Sequence, residues 1–226
     1  MTYEAIIFDC DGVLVNSEKV SSEVELRLLR SYGCDVIEEE LRAECFGKTA
    51  QESFAYYRKH WSDKIPDNFE DEFKRGLEES FHEHLEAVAG VEDTIALLAL
   101  PKAIASNSYS ETLTFILSKT GLIDYFFGCI FGADMVENGK PAPDVYLAAA
   151  QKLGVDPKNC LVIEDSPTGV KAAKAAGMSV LGFTGGGHSF VGHDEVLRMA
   201  GAFDIITEFP QILNYVSDFP VKQAQA

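Results

Sequence analysis

The chain is poor in basic residues. It has 19 lysines and arginines against 36 aspartates and glutamates, a formal net charge of −17 in 226 residues. A surface of that sign repels nucleic acid and anionic membranes, both of which are gripped by basic patches. It also repels an anionic ligand, which would need cations placed locally against the overall field. Absent too is any run of ~18 uninterrupted apolar residues, the length a membrane-crossing helix requires. The opening residues show no basic region ahead of a long apolar segment and do not read as a signal peptide. The five cysteines (Cys10, Cys34, Cys45, Cys129 and Cys160) form no Cys-x-x-Cys pair. Their odd number and apolar settings read as reduced thiols and a cytoplasmic address. No internal repeat or low-complexity segment occurs, and a monomer is the expected state.

What is present is an ordinary globular composition, 46% hydrophobic and 24% charged, in a chain long enough to bury a large core. Short apolar runs recur: "AIIF" (5–8), "KAIAS" (102–106), "CIFG" (129–132), "LVIE" (161–164), "SVLGF" (179–183) and "DIIT" (204–207). They are continuous rather than alternating, as strands buried on both faces are. Helical patterns separate most of them. "SPTGVKAAKAAG" has Ser166 as N-cap, Pro167 at the first helical position and Gly177 past the end. "PAPDVYLAAAQKLG" starts after prolines and stops at Gly154. Alternating strands and helices predict an α/β fold, a Rossmann-like parallel sheet covered by helices.

One interval breaks the alternation. From Ser17 to Val88 no strand is predicted. "SEKVSSEVELRLLRSYG" reads as a helix ending at Gly33, "TAQESFAYYRKHW" opens with a Thr49–Glu52 capping box, and a long helix begins at Asp67. The expected organisation is therefore a core of residues 1–16 and 89–226 with a small helical bundle, 17–88, inserted after the first strand. Such an insertion, leaving and rejoining one sheet edge, is a natural lid. The tail "VKQAQA" is expected to fray.

"FDCDG" places Asp9 and Asp11 directly after the first strand. A strand-ending Asx turn explains a lone Asp-Gly. Two carboxylates this close, however, cost several kcal/mol unless they share a cation or a proton. Mg²⁺, which takes one or two carboxylates and completes its shell with water and phosphate, fits that need. In open α/β sheets ligands bind beyond the carboxyl ends of the strands. Other polar groups stand at such ends: Ser106 and Asn107 after "KAIA", Lys140 between "CIFG" and a Pro-Ala-Pro segment, and Glu164 with Asp165 after "LVI". Each alone has a plain reading as a turn or a solvated side chain; together they make a constellation. Gly12 allows a sharp turn beside it. Other signals carry no site. "GKT" at 47–49 has Arg42 where a phosphate-binding P-loop needs glycine. "GGG" at 185–187 reads as a flexible loop. His82 and His84 face different ways on a helix, His188 and His193 read as loop or helix-cap residues, and the aromatic cluster of "FAYYRKHW" reads as core.

"FDCDGVLVNSE", Ser106, Lys140 in "GKPAPDVY" and "IEDSPTGVKAAKAAG" resemble, in order, the four motifs of the haloacid dehalogenase superfamily. The resemblance spans nearly the whole chain and is nearest the branch of β-phosphoglucomutases and sugar-phosphate phosphatases, whose four-helix-bundle cap occupies the place of the insertion here. It implies Asp9 as nucleophile and Asp11 as general acid and base. It implies Mg²⁺ held by Asp9, the Asp11 main-chain carbonyl and Asp165, with Glu164 touching the ion or orienting its waters. Ser106, Asn107 and Lys140 would bind the transferring phosphoryl group. Gly47, Lys48 and Thr49 would lie in the cap's specificity loop, where Lys48 either meets a substrate carboxylate or hydroxyl or is a solvated lysine beside a helix cap. The expected activity is hydrolysis of a small phosphorylated metabolite, a sugar phosphate or a sugar-acid phosphate such as 6-phosphogluconate. A dehalogenase is disfavoured, because that reaction depends neither on an acid at Asp11 nor on Mg²⁺. A phosphomutase is the main rival, but the mutases' cap histidine and phosphate-binding arginine align with Ser21 and Ala50. A catalytically inactive ligand-binding or regulatory protein is the third reading, disfavoured because every catalytic position is filled.

Overall fold

The computed structural model describes residues 2–45 and 50–216. The chain divides into two compact units. One runs to Asn16 and resumes at Glu86; the other is Ser17–Leu85.

The first unit begins with β1 (Ala5–Phe8). The second consists of α1 (Ser17–Ser31), α2 (Glu38–Cys45), α3 (Ala50–His60) and α4 (Phe69–His84). The first then continues through α5 (Val91–Leu97), β2 (Lys102–Ala105), α6 (Ser110–Lys119), β3 (Ile130–Phe131), α7 (Asp144–Leu153), β4 (Cys160–Glu164), α8 (Pro167–Ala175), β5 (Ser179–Phe183), α9 (His193–Ala200) and β6 (Asp204–Ile206).

The six strands form one parallel sheet in the order β3-β2-β1-β4-β5-β6. The chain steps outward from β1 to β3, then crosses to β4 and steps out the other way. The strand order therefore reverses between β1 and β4, where doubly wound sheets open a crevice at their carboxyl edge. Every residue of β1 and β4 is buried, as continuous apolar strands between two helical layers must be. Alternate side chains serve opposite faces. Ile7, Ala103, Val162 and Val180 join Tyr146 and Val170 in one cluster. Phe8 packs on Phe126 and Phe209 at ring-centroid distances of 5.9 and 5.8 Å. Each such buried large side chain contributes about 1.5–3 kcal/mol.

Helix ends in the sheet unit follow local chemistry. Ser166 caps α8 by accepting from the Gly169 N–H at 3.0 Å, with Pro167 as the first helical residue, and α7 stops before Gly154. Some boundaries differ from expectation. The "CIFG" run yields a strand of only two residues, because β3 is an edge strand bonded on one side. Helix α4 starts at Phe69 rather than Asp67, and its N-cap, Asn68, makes no capping side-chain bond. The Thr49–Glu52 capping box involves Thr49, which lies outside the described residues.

The four helices of the second unit share a core of Val24, Leu29, Leu41, Phe54, Tyr57, Phe69 and Phe73. Phe54 meets Phe69 and Phe73 edge-on at 5.4 and 5.3 Å. All five cysteines are free. No helix among the described residues is long and apolar enough to cross a membrane.

Candidate active site

Register brings the strand-end residues together. Phe8 is paired with Ile104 of β2 on one side and Ile163 of β4 on the other. Asp9 therefore leaves the sheet between Ser106 and the Glu164–Asp165 pair, and its N–H bonds the Ile163 carbonyl at 3.0 Å. The next residues curl back: Leu14 N–H donates to the Cys10 carbonyl and Gly12 N–H to that of Val15. Gly12 has φ +80°, and a Cβ there would run into the Asp165 carboxylate and the His188 ring. Glycine is required at this position both by backbone conformation and by space.

Lys140 is buried (9% exposed) with its Nζ 2.5 Å from Asp9 Oδ1 and 2.8 Å from Glu164 Oε1. The ammonium also stands 4.8 Å from the centroid of the Tyr146 ring, within cation–π range. Burial works to lower the lysine pKa, but Asp9 and Glu164 outweigh it and hold the ammonium well above the ordinary lysine range. Glu164 is fully buried and uses both carboxylate oxygens. Oε1 accepts from Lys140 and the Tyr146 hydroxyl (3.1 Å), and Oε2 from the N–H and hydroxyl of Ser166 at 2.7 and 3.0 Å.

Asp9, Glu164 and Asp165 each direct a ligand oxygen to a common place, with those atoms within 4.8 Å of one another. Burial is the main reason the Asp9 carboxyl lies well above the usual range; Lys140 opposes the shift, and Glu164, Asp165 and Asp11 add to it. Asp165 is raised likewise, first by burial and then by Glu164, against Lys140. A buried, all-oxygen donor set with too little positive charge fits a hard cation, so these residues could hold a metal ion.

Asp11 faces a different group. Its Oδ2 accepts from the Ser106 hydroxyl at 3.2 Å and the Ser108 hydroxyl at 2.7 Å. Asn107, expected among the phosphoryl-binding groups, has its amide oxygen and nitrogen on the main chain of Lys140. Oδ1 accepts from the Lys140 N–H at 2.7 Å and Nδ2 donates to its carbonyl at 3.2 Å. The side chain thus fastens the segment carrying the lysine. Lys48 lies outside the described residues.

The 185–187 loop, expected as a flexible connection, packs closely at Gly185 and Gly186. A Cβ on Gly186 would sit 2.6 Å from the Gly12 carbonyl oxygen and 2.8 Å from the His188 ring. His188 Nε2 lies 2.9 Å from Asp165 Oδ2. His193, fully buried at the start of α9, places Nε2 2.6 Å from the Asp165 carbonyl oxygen. These histidines, with Ser108 and Tyr146, are site residues that sequence reasoning missed. The only signal was a glycine run beside a histidine, which reads equally well as flexibility.

An open parallel α/β sheet with an acidic centre and a buried lysine at its strand-order reversal defines an enzyme of the doubly wound class. The chain belongs to the haloacid dehalogenase-like hydrolases, whose family model matches residues 6–183. It is 34% identical over 181 residues to a phosphorylated carbohydrates phosphatase of Thermotoga maritima, covering 77% of this chain and 82% of that one. It is 26% identical over 187 residues to the 6-phosphogluconate phosphatase of Escherichia coli, covering 82% and 85%. Among solved structures, a conserved haloacid dehalogenase-like protein of unknown function from Agrobacterium tumefaciens superposes with a TM-score of 0.88 at 35% identity, over 94% of this chain and 97% of that one.

Proposed function

We propose that the protein is a Mg²⁺-dependent phosphomonoesterase that hydrolyses a small phosphorylated sugar or sugar acid, such as 6-phosphogluconate, through an aspartyl-phosphate on Asp9. The observation that carries this reading is the buried Asp9–Glu164–Asp165 trio, its ligand oxygens within 4.8 Å of one another, beside Lys140. The Asp9 and Asp165 carboxylates and the Asp11 main-chain carbonyl would hold Mg²⁺, with Glu164 adjacent. When bound, the ion supplies charge neutralisation and polarisation of the phosphoryl oxygens.

Asp9 attacks phosphorus, forming the acyl phosphate as the ester P–O bond breaks. Asp11 gives its proton to the departing alkoxide, then takes one from the water that attacks the intermediate, releasing phosphate and regenerating Asp9. The Ser108 hydroxyl keeps Asp11 in place for both transfers. Lys140 lowers the Asp9 pKa, which favours the nucleophilic carboxylate, and its ammonium attracts the phosphoryl oxygens; Ser106 would join it by turning its single hydroxyl hydrogen from Asp11 to the substrate. These local cations reconcile an acidic protein with an anionic substrate.

The insertion, expected at 17–88 and forming the compact unit Ser17–Leu85, is read as the cap that selects the substrate. Both junctions of the insertion adjoin the Asp11 loop, where Val15 bridges to Asp11 and to Ala87 and Val88 N–H donates to the Leu14 carbonyl. The relatives named for phosphorylated carbohydrates and 6-phosphogluconate support the substrate class. The free thiols support a reducing, cytoplasmic setting.

The test is phosphate release from p-nitrophenyl phosphate and from a panel of sugar phosphates with Mg²⁺. Activity that Asp9→Asn abolishes is expected. Full activity in that variant overturns the nucleophile assignment, and isomerisation of β-glucose 1-phosphate without net phosphate release makes the protein a mutase.

A further inference from the structure

The loop between β5 and α9 reaches Asp165 from two directions. His193 Nε2 faces the main-chain carbonyl oxygen of Asp165 at 2.6 Å, and a carbonyl only accepts, so this nitrogen carries the proton. Its Nδ1 then accepts from the Ser189 hydroxyl at 3.2 Å. The ring is stacked on Phe190 at 5.0 Å, and the His188 ring meets it edge-on at 5.7 Å. From this anchored base His188 reaches Asp165 Oδ2 at 2.9 Å. Gly12 and Gly186 clear the room for its ring, since a Cβ on either would crowd Cε1, at 2.6 and 2.8 Å. His188 does not join Asp9, Glu164 and Asp165 in the group whose ligand atoms converge. It holds a member of that group from outside.

We propose that His188 and His193 form a clasp that orients Asp165 to take a divalent cation, with His188 as a positioning residue acting through the approach of its Nε2 to Oδ2 at 2.9 Å. The inference rests on the reading of Asp165 as a metal ligand. A carboxylate at the tip of a strand can rotate about its side-chain bonds. A donor fixed on one oxygen selects the rotamer that turns the other toward Asp9. Partners that orient metal-ligating groups in this way typically change metal affinity by about 10–100-fold when removed. The opposite arrangement, in which His188 occupies the place of the ion and competes with it, makes removal of the imidazole strengthen binding. The sign of the change separates the two.

The experiment is Mn²⁺ binding, followed by calorimetry and by the electron paramagnetic resonance of the free ion, to the full chain and to His188→Ala, His188→Leu and His188→Gln. His188→Ala and His188→Leu should bind Mn²⁺ about 10–100-fold more weakly, with metal-free melting temperatures close to that of the wild type. His188→Gln, whose amide N–H can donate to Oδ2, should recover most of the affinity. If His188→Ala does not fold, the Leu–Gln comparison decides. Unchanged or tighter binding in the Ala or Leu variant overturns the clasp, as does equal weakening in Leu and Gln. So does a wild type that binds no Mn²⁺. A wild type that binds Mn²⁺ but hydrolyses no phosphomonoester would discard the phosphatase reading while leaving this test intact.

Discussion

Replacing Lys140 by methionine keeps the length of the stem and removes the charge between Asp9 and Glu164. At 2.5 and 2.8 Å, each pair is worth roughly 6 kcal/mol of gross attraction at an effective dielectric constant of ~20. Much of that is offset by the cost of burying the three ions. Taking away one partner removes the attraction and leaves the desolvation, and breaking a buried pair typically costs about 3–5 kcal/mol. The loss should depend on pH. Burial already holds the Asp9 carboxyl well above the usual carboxylate range, and Lys140 is the group that pulls it down, so the variant's Asp9 titrates higher still. Between the ordinary carboxylate value near ~4 and that raised native value, the native state binds a proton the unfolded state has released. Stability of Lys140→Met therefore falls as pH rises through this interval. Urea unfolding in mildly acidic and in mildly alkaline buffer, without divalent ions, should show a small deficit in the first and the full deficit in the second. A variant as stable as the wild type in both buffers would refute the reasoning.

Two further outcomes follow from the geometry. Glu25, on α1, has its carboxyl pushed up to about 7, mainly by burial and against a hydrogen bond from Tyr57. Wild-type stability should therefore fall as pH rises from 4.5 to about 7, by about 3 kcal/mol at most at ~1.36 kcal/mol per pH unit; Glu25→Gln should flatten that slope, and an unchanged slope rules the assignment out. Gly12→Ala places a methyl group against the Asp165 carboxylate and His188 at a positive φ. It should lose Mn²⁺ binding and phosphate release, with a stability cost on the order of 1–2 kcal/mol from the backbone alone and more from the clash, checked by calorimetry and thermal unfolding; wild-type binding contradicts the packing described.

Much of the site was legible because parallel strands send their carboxyl ends to one edge. Asp9, Ser106 and Glu164 each follow a continuous apolar run, so a reader who finds the strands finds those residues. Their adjacency is another matter. It depends on β1 lying between β2 and β4, with Phe8 paired to both Ile104 and Ile163, a long-range property that only the family resemblance suggested beforehand. His188 and His193 were not legible. A glycine run signals freedom or tight space equally well, and the answer lies in Gly12, far away in the chain. Asn107 was legible as a strand-tip amide, but its hold on the Lys140 main chain, 33 residues on, was not. The start of α4 missed by two residues because Asp67 has the chemistry of a cap while Asn68 holds the position without a capping bond.

The most direct measurement is acid quenching during steady-state turnover with Mg²⁺ and a good phosphomonoester, followed by peptic digestion in acid and mass spectrometry of the peptide that contains Asp9. The expected result is one phosphoryl group, located on Asp9 and absent from Asp9→Asn. Turnover at the wild-type rate with that peptide unmodified, or a phosphoryl group carried on another residue, would contradict it.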